Sequence, residues 1–242
     1  MINKNISAII LGAGKGTRMQ SSLPKVMMEV CGKPMIRHIV DTLEKMNVKE
    51  IVTVISSDGE LVKKETYPHK CAVQFEQLGT GHAVRCAKDE LKNIEGPVLV
   101  IFGDTPLISE NTFVKIADKI NEGFGVVVLG FRPEDPARYG RLKMEDGELK
   151  SIVEFKDANE DELKINFCNS GCMGFDGKYL FEILDRIDNN NMAKEYYLTD
   201  AVKIARDMGL KCSAIEGDVE EVASANTREE LAILEEYYNK RK

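Results

Sequence analysis

The chain has 242 residues, 43% hydrophobic and 30% charged, which fits a globular protein with one large core and excludes a disordered tail. No apolar run approaches the roughly 18 residues of a membrane-spanning helix, the first residues lack a secretory pattern, and six scattered cysteines without a CxxC pair read as reduced thiols, so a cytoplasmic chain with no membrane partner is expected. A net charge of −7 argues against nucleic acid, yet residues 1–37 set six cations against the single acid Glu29, a local +5 on a body of −12, which suits a compact anionic ligand.

Ser7–Leu11 reads as a buried strand running into the glycine-rich stretch Gly12–Gly16. Pro34 is expected as the first residue of a helix whose apolar face is Met35, Ile36, Ile39, Val40, Leu43 and Met46. Strands at Ile51–Ile55, Ala72–Phe75 and Val98–Phe102 alternate with helices at His82–Leu91 and Thr112–Ile120, the pattern of a mainly parallel sheet covered on both faces. The second half is less regular. It has a strand at Gly125–Phe131, a hairpin over Leu142–Phe155 turning at Asp146-Gly147, and a glycine-interrupted strand at Phe167–Phe175. Helices follow at Leu180–Ile187 and Leu198–Met208, and Thr227-x-x-Glu230 is a capping box opening a last helix.

The run Ile9-Ile-Leu-Gly-Ala-Gly-Lys-Gly-Thr-Arg18 satisfies neither G-x-G-x-x-G nor a Walker A loop, because Thr17 stands where each pattern needs glycine. Its chemistry is legible without them. Backbone amides of Gly12–Gly16 can wrap a triphosphate, Arg18 offers a planar fork, and Lys25, stiffened by Pro24, offers a point charge. Asp104 follows a wholly apolar strand and Gly103, at the carboxyl edge where open α/β sheets collect ligands, and a single carboxylate suffices for Mg²⁺, which keeps most of its waters.

The loop resembles that of the nucleoside-diphosphate-sugar pyrophosphorylases, which join a nucleoside triphosphate to a sugar 1-phosphate. The likeness continues through Gln74-Phe-Glu-Gln-Leu-Gly79-Thr80-Gly-His-Ala, Phe102-Gly-Asp104-Thr-Pro-Leu, Tyr139-Gly140-Arg, Ile152-Val-Glu154-Phe-Lys-Asp-Ala, Asn169-Ser-Gly171, Glu195-Tyr-Tyr-Leu-Thr199-Asp and Asn226. Within that family it is similar to the uridylyltransferase domain of the bifunctional enzymes that make UDP-N-acetylglucosamine. The resemblance implies a Rossmann-like α/β fold of the nucleotide-diphospho-sugar transferase type, a mixed but mainly parallel sheet with a β-rich sugar-binding insertion. It implies UTP and N-acetylglucosamine 1-phosphate as substrates and Mg²⁺ as cofactor.

Residue by residue, Arg18, Lys25 and Asp104 are the expected catalytic groups. Leu11, Gly12, Ala13, Gly14, Gln74, Gly79, Thr80 and Gly103 are expected to hold the nucleotide, and Gly140, Glu154, Asn169 and Thr199 the sugar phosphate. Asp104 and Asn226 are the implied metal ligands. A Gln amide can meet a uracil donor and acceptor together, whereas His82 at a helix start reads as structural. We expect one domain over 1–242, with a nucleotide half at about 1–130, a sugar half at about 131–225 and a terminal helix over 227–240. The bifunctional relatives continue into a β-helix of hexapeptide repeats. This sequence shows no such repeat, so acetyl transfer is not expected of it, and the oligomeric state is left open. The loop, Lys25 and Asp104 would equally serve another sugar-phosphate or alcohol-phosphate nucleotidyltransferase using CTP or dTTP. A non-catalytic nucleotide-sugar sensor would be expected to have lost Arg18, Lys25 or Asp104.

Overall fold

A computed structural model describes residues 5–14 and 23–241. In chain order the strands are β1 (Ser7–Leu11), β2 (Glu29–Val30), β3 (Lys33–Pro34), β4 (Glu50–Ser56), β5 (Lys70–Gln74), β6 (Pro97–Phe102), β7 (Phe124–Phe131), β8 (Arg141–Glu145), β9 (Glu148–Val153), β10 (Cys168–Asp176) and β11 (Lys211–Glu216). The helices are α1 (Met35–Lys45), α2 (Glu60–Glu65), α3 (Thr80–Cys86), α4 (Glu110–Asn121), α5 (Glu160–Leu163), α6 (Gly177–Asp185), α7 (Ala201–Asp207) and α8 (Arg228–Lys240).

One sheet runs in the order β11-β7-β10-β6-β1-β4-β5, with the β8–β9 hairpin branching from β10. β6, β1, β4 and β5 are parallel, as are β11 and β7, while β10 runs antiparallel between β6 and β7. The mixed sheet expected from the sequence is therefore present, with one strand of its main run, β10, reversed.

Period-2 alternation divides the core. In β1, Ala8 and Ile10 join Ile36, Leu43, Phe113 and Ile116 on the α1/α4 face. Ile9 and Leu11 join Val84, Leu180 and Val202 on the α3/α6/α7 face. Both sides of every central strand are thus buried, the condition that makes parallel strands read as continuous apolar runs. Each fully buried Ile or Leu stabilises the fold by roughly 1.5–3 kcal/mol over leaving it exposed. A third cluster, Val30, Met35, Leu107, Ala225 and Leu234, docks α8 against the β2–β3 ribbon and so carries Asn226 back toward the N-terminal loop.

Local departures from the sequence reading have simple causes. Pro34 has ψ 140° and caps α1 from outside, so the helix begins at Met35 rather than at the proline. The helix expected over His82–Leu91 is α3 followed by a 3-10 turn at Ala87–Asp89, and that expected over Leu198–Met208 is a 3-10 turn at Leu198–Asp200 leading into α7. The hairpin turn has positive φ at both Asp146 (52°) and Gly147 (79°), the conformation an Asp-Gly pair supplies. No helix among the described residues is long and apolar enough to cross a membrane.

Candidate functional site

A cleft of about 310 Å³ opens over the carboxyl ends of β1, β5 and β6. Its lining includes Leu11, Ala13 and Gly14 from the N-terminal loop, Gln74, Gly79 and Thr80 from the β5–α3 connection, and Lys25 and Asp104. A second hollow of about 280 Å³, lined by Glu154, Asn169 and Thr199 among others, shares Thr80, Phe102 and Glu195 with the first. Two sets of residues from distant parts of the chain therefore meet along one groove.

The charged end of the groove is built around Lys25. Its ammonium lies between Asp104 and Asn226, donating to Asp104 Oδ2 and, at 2.7 Å, to Asn226 Oδ1. The Lys25 and Asp104 side chains retain only 14% and 19% exposure, so their attraction acts in a partly desolvated setting. Among the described residues no group of three or more His, Cys, Asp and Glu gathers as a metal site. Instead, one carboxylate and one amide oxygen converge on a single cation. Two hard oxygens leaving the other positions to water and phosphate are the donor set Mg²⁺ prefers, so the residues present fit that ion. Arg18 lies outside the described residues.

Gly12 and Gly103 stand behind the cleft. The Gly12 N–H donates to Val54 O at 2.8 Å, and Gly103 N–H to Leu11 O at 2.9 Å. A Cβ on Gly103 would come within 2.8 Å of the Val26 side chain, so this glycine permits β6 to end against β1 and the Lys25 turn. Gly14, by contrast, has nothing within 4 Å of its Cβ direction and faces open space.

At the other end of the first hollow, Gln74 is almost wholly buried, and its Nε2 donates to Gly79 O at 3.2 Å and to His82 Nδ1 at 3.1 Å. A carbonyl only accepts, so Gly79 fixes which way the amide faces, leaving Oε1 as the atom Gln74 can offer a ligand. The sequence reading gave Gln74 both a donor and an acceptor; here the donor is engaged internally. His82, read as structural, is what completes that lock. Burial, then the nearby Arg85, lowers its pKa, favouring the neutral ring whose Nδ1 can accept.

Gly79 has φ +116°, and a Cβ there would lie 2.6 Å from Tyr196 O, so only glycine fits. The turn is fastened to the second half of the chain by Tyr196 N–H to Leu78 O and Gly81 N–H to Tyr196 O, each 2.8 Å. Leu198 N–H donates to Thr80 Oγ1 at 3.0 Å, a further tie between this turn and the second half of the chain. Gln77, which had no expected role, donates to Ala13 O at 2.5 Å and braces the glycine loop. Its place three residues after Gln74 was the only signal for it.

The second hollow is lined by three of the four expected sugar residues, Glu154, Asn169 and Thr199, with Gly140 beside them. Asn169 N–H donates to Gly140 O at 2.8 Å, and a Cβ on Gly140 would lie 3.6 Å from Glu154 Oε2. Thr199 Oγ1 donates to Glu154 Oε1 at 2.9 Å, so Thr199 holds the carboxylate in place. Burial raises the Glu154 pKa, opposed by the Thr199 hydrogen bond. Asn169 sits at a bulge of β10, where its Oδ1 accepts from Gly171 N–H at 2.9 Å and its Nδ2 becomes the available group. Arg141 clamps the preceding loop, donating to Pro136, Ala137 and Tyr139 carbonyls.

A mainly parallel sheet reversed at β10, with a glycine turn and the Lys25–Asp104–Asn226 centre at its carboxyl edge, is the architecture of an α/β protein that collects ligands at that edge. The chain belongs to the MobA-like NTP transferase domain family, whose model matches residues 8–148. It is 45% identical to the Bifunctional protein GlmU of Paramagnetospirillum magneticum over 97% of this chain and 53% of that protein. It is 46% identical to the Bifunctional protein GlmU of Clostridioides difficile over 98% of this chain and 52% of that protein. The chain thus spans about half the length of the curated relatives it matches. The fold is shared with a crystal structure of UDP-glucose pyrophosphorylase complexed with UDP-glucose, at TM-score 0.74 and 18% identity over 98% of this chain and 99% of that one. It is shared also with a putative glucose-1-phosphate thymidylyltransferase from Bacillus anthracis, at TM-score 0.76 and 21% identity over 96% and 94%.

Proposed function

We propose that the chain is a Mg²⁺-dependent nucleotidyltransferase joining UTP and N-acetylglucosamine 1-phosphate to give UDP-N-acetylglucosamine and pyrophosphate. The observation that carries this reading is the Lys25–Asp104–Asn226 centre at the charged end of a groove that has Gln74, Gly79 and Thr80 on one side and Glu154, Asn169 and Thr199 further along. Further support comes from the GlmU relatives and from the ordered motifs along the chain.

A phosphate oxygen of the sugar 1-phosphate attacks the α-phosphorus of UTP in line, and pyrophosphate leaves. The attacking phosphate is largely ionised near neutral pH, so no general base is required. Catalysis is then positioning and charge neutralisation. Lys25 stabilises charge gathering on the α-phosphoryl oxygens. The amides of Ala13 and Gly14, with Arg18, hold the departing pyrophosphate, while Gly12, whose N–H is spent on Val54 O, lets the chain turn behind them. Asp104 and Asn226 would hold Mg²⁺, which when bound offsets phosphate charge.

Gln74 Oε1 accepts from the uracil N–H, and the Gly79–Thr80 backbone meets the ring edge. Glu154 accepts from sugar hydroxyls, Asn169 Nδ2 donates to a hydroxyl or the acetamido oxygen, and Gly140 lies beside them. Thr199 acts through Glu154. The nucleotide half, about 1–130, and the sugar half, about 131–225, face each other across this groove, with the helix from 227 to 240 returning Asn226 to it. Both substrates are water-soluble anions, which suits a cytoplasmic reaction.

The test is a panel of UTP, CTP and dTTP against several sugar 1-phosphates with Mg²⁺, scored by pyrophosphate release. The reading expects UTP with N-acetylglucosamine 1-phosphate to give the highest kcat/KM. A preference for another nucleotide or sugar would reassign the substrates within the family, and no release from any pair would overturn the activity.

A further inference from the structure

We propose that Glu230 is a positioning residue for the cation-holding end of the groove: it fixes the Asn226 amide so that its oxygen, and not its nitrogen, faces Lys25 and Asp104. The inference rests on the reading of Asp104 and Asn226 as the pair that holds Mg²⁺. Glu230 Oε2 accepts from the Asn226 backbone N–H at 2.6 Å and from Asn226 Nδ2 at 3.1 Å. A carboxylate only accepts, so the side-chain nitrogen must be the atom turned toward Glu230. Asn226 Oδ1 is thereby directed to Lys25 Nζ at 2.7 Å, alongside the Asp104 carboxylate. Turning the amide over would set oxygen against carboxylate and nitrogen against ammonium, losing both contacts at once.

The sequence pattern Thr227-x-x-Glu230 reads as a capping box, and half of it is present: Glu230 N–H donates to Thr227 Oγ1 at 3.2 Å. The Glu230 side chain, however, reaches one residue further back, to Asn226. Nor does the helix depend on it for docking. α8 is held by buried Leu234, by Cys31 N–H to Glu235 Oε1 at 2.8 Å and by Arg241 Nη1 to Leu107 O at 2.5 Å. Groups that orient a metal ligand from behind commonly influence metal affinity by roughly ten- to a hundredfold.

The experiment uses Mn²⁺ as the probe, titrated by electron paramagnetic resonance into the full chain saturated with UDP-N-acetylglucosamine, with the nucleotide sugar alone as reference. Wild type is expected to bind Mn²⁺ and Asp104→Ala to lose it. Glu230→Ala should weaken binding about tenfold. Glu230→Gln, which retains an acceptor oxygen, should stay near wild type. Glu230→Met keeps side-chain length and helix propensity, so it tests the same loss should the alanine variant melt early. In an Asn226→Ala background, removing Glu230 should weaken binding no further, whereas a general effect on the helix would add. Wild-type Mn²⁺ affinity in Glu230→Met, or additivity with Asn226→Ala, would overturn the positioning role. Unchanged binding in Asp104→Ala would instead remove the metal assignment on which it rests.

Discussion

Lys25 Nζ and Asn226 Oδ1 lie 2.7 Å apart although 201 residues separate them in the chain. The contact closes the groove at its charged end, and it exists because α8 packs beside the strand ribbon that follows Lys25.

Lys25→Ala removes the cation shared by Asp104 and Asn226. Loss of a comparable charge-stabilising donor costs about 3–4 kcal/mol in the barrier, so kcat should fall by roughly 10²–10³. Asp104→Ala should fall at least as far. Thermal melts of both variants should stay cooperative, since neither side chain belongs to the core clusters. Unfolding of either variant would mean the centre is structural.

His82 accepts from Gln74 Nε2 through its unprotonated Nδ1. His82→Ala should raise KM for UTP about tenfold, consistent with about 1–1.5 kcal/mol for a lost hydrogen bond, with little change in KM for the sugar phosphate. Because burial holds its pKa below the ordinary histidine value, protonation and loss of the acceptor occur only on the acid side. KM for UTP should therefore rise as pH falls, and that limb should vanish in His82→Ala. An unchanged limb in the variant would rule His82 out.

Glu154 accepts from Thr199, and partial burial raises its pKa. Only the carboxylate accepts fully from sugar hydroxyls, so KM for the sugar phosphate should rise as pH drops. Thr199→Val deletes the group that favours the ionised form. The acid limb should move to higher pH, and KM near neutrality should increase roughly fivefold to tenfold. If the profile did not move, Thr199 would not act through Glu154.

Asp200 is half-buried near Asp188 and Glu154, and loss of solvent followed by those charges raises its pKa to about 6. A carboxyl with a folded pKa above its unfolded value leaves the native state binding more protons, so this group's destabilising effect grows as pH rises and is complete above about 6. Discounted for its partial exposure, the effect is about 1 kcal/mol. Asp200→Asn should raise Tm by roughly 2–4 °C at pH 8 and leave it nearly unchanged at pH 4. An equal shift at both pH values would point to packing instead.

Much of this was legible in the residues. β1 and β6 are nearly continuous apolar runs, β4 is one broken only by Thr53, and α1 and α4 have 3.6-residue periodicity, so their existence follows from burial. Asp146-Gly147 specifies its turn through positive φ. Asp104 and Lys25 were visible because strand ends and proline-flanked cations have local signatures. What was not legible depends on distant contacts. β11 has a mixed pattern that makes sense only once it pairs with β7. Likewise, the direction of β10 is set by the hairpin before it and by its seat between β6 and β7. The hydrogen-bond assignments of Gln74 and Glu230 differ from the sequence reading for one reason. Each meets a partner that the motif alone does not specify, Gly79 and His82 for Gln74 and Asn226 for Glu230, and the contact decides which polar atom remains for a ligand.

The most direct test of the central claim is a crystal structure of the chain with UDP-N-acetylglucosamine and Mg²⁺. The account predicts the diphosphate between the Gly12–Gly14 loop and Lys25, the ion on Asp104 and Asn226, the uracil N–H on Gln74 Oε1 and the sugar against Glu154 and Asn169. Density for the nucleotide sugar outside this groove, or in it with the uracil at the Glu154 end, would contradict it.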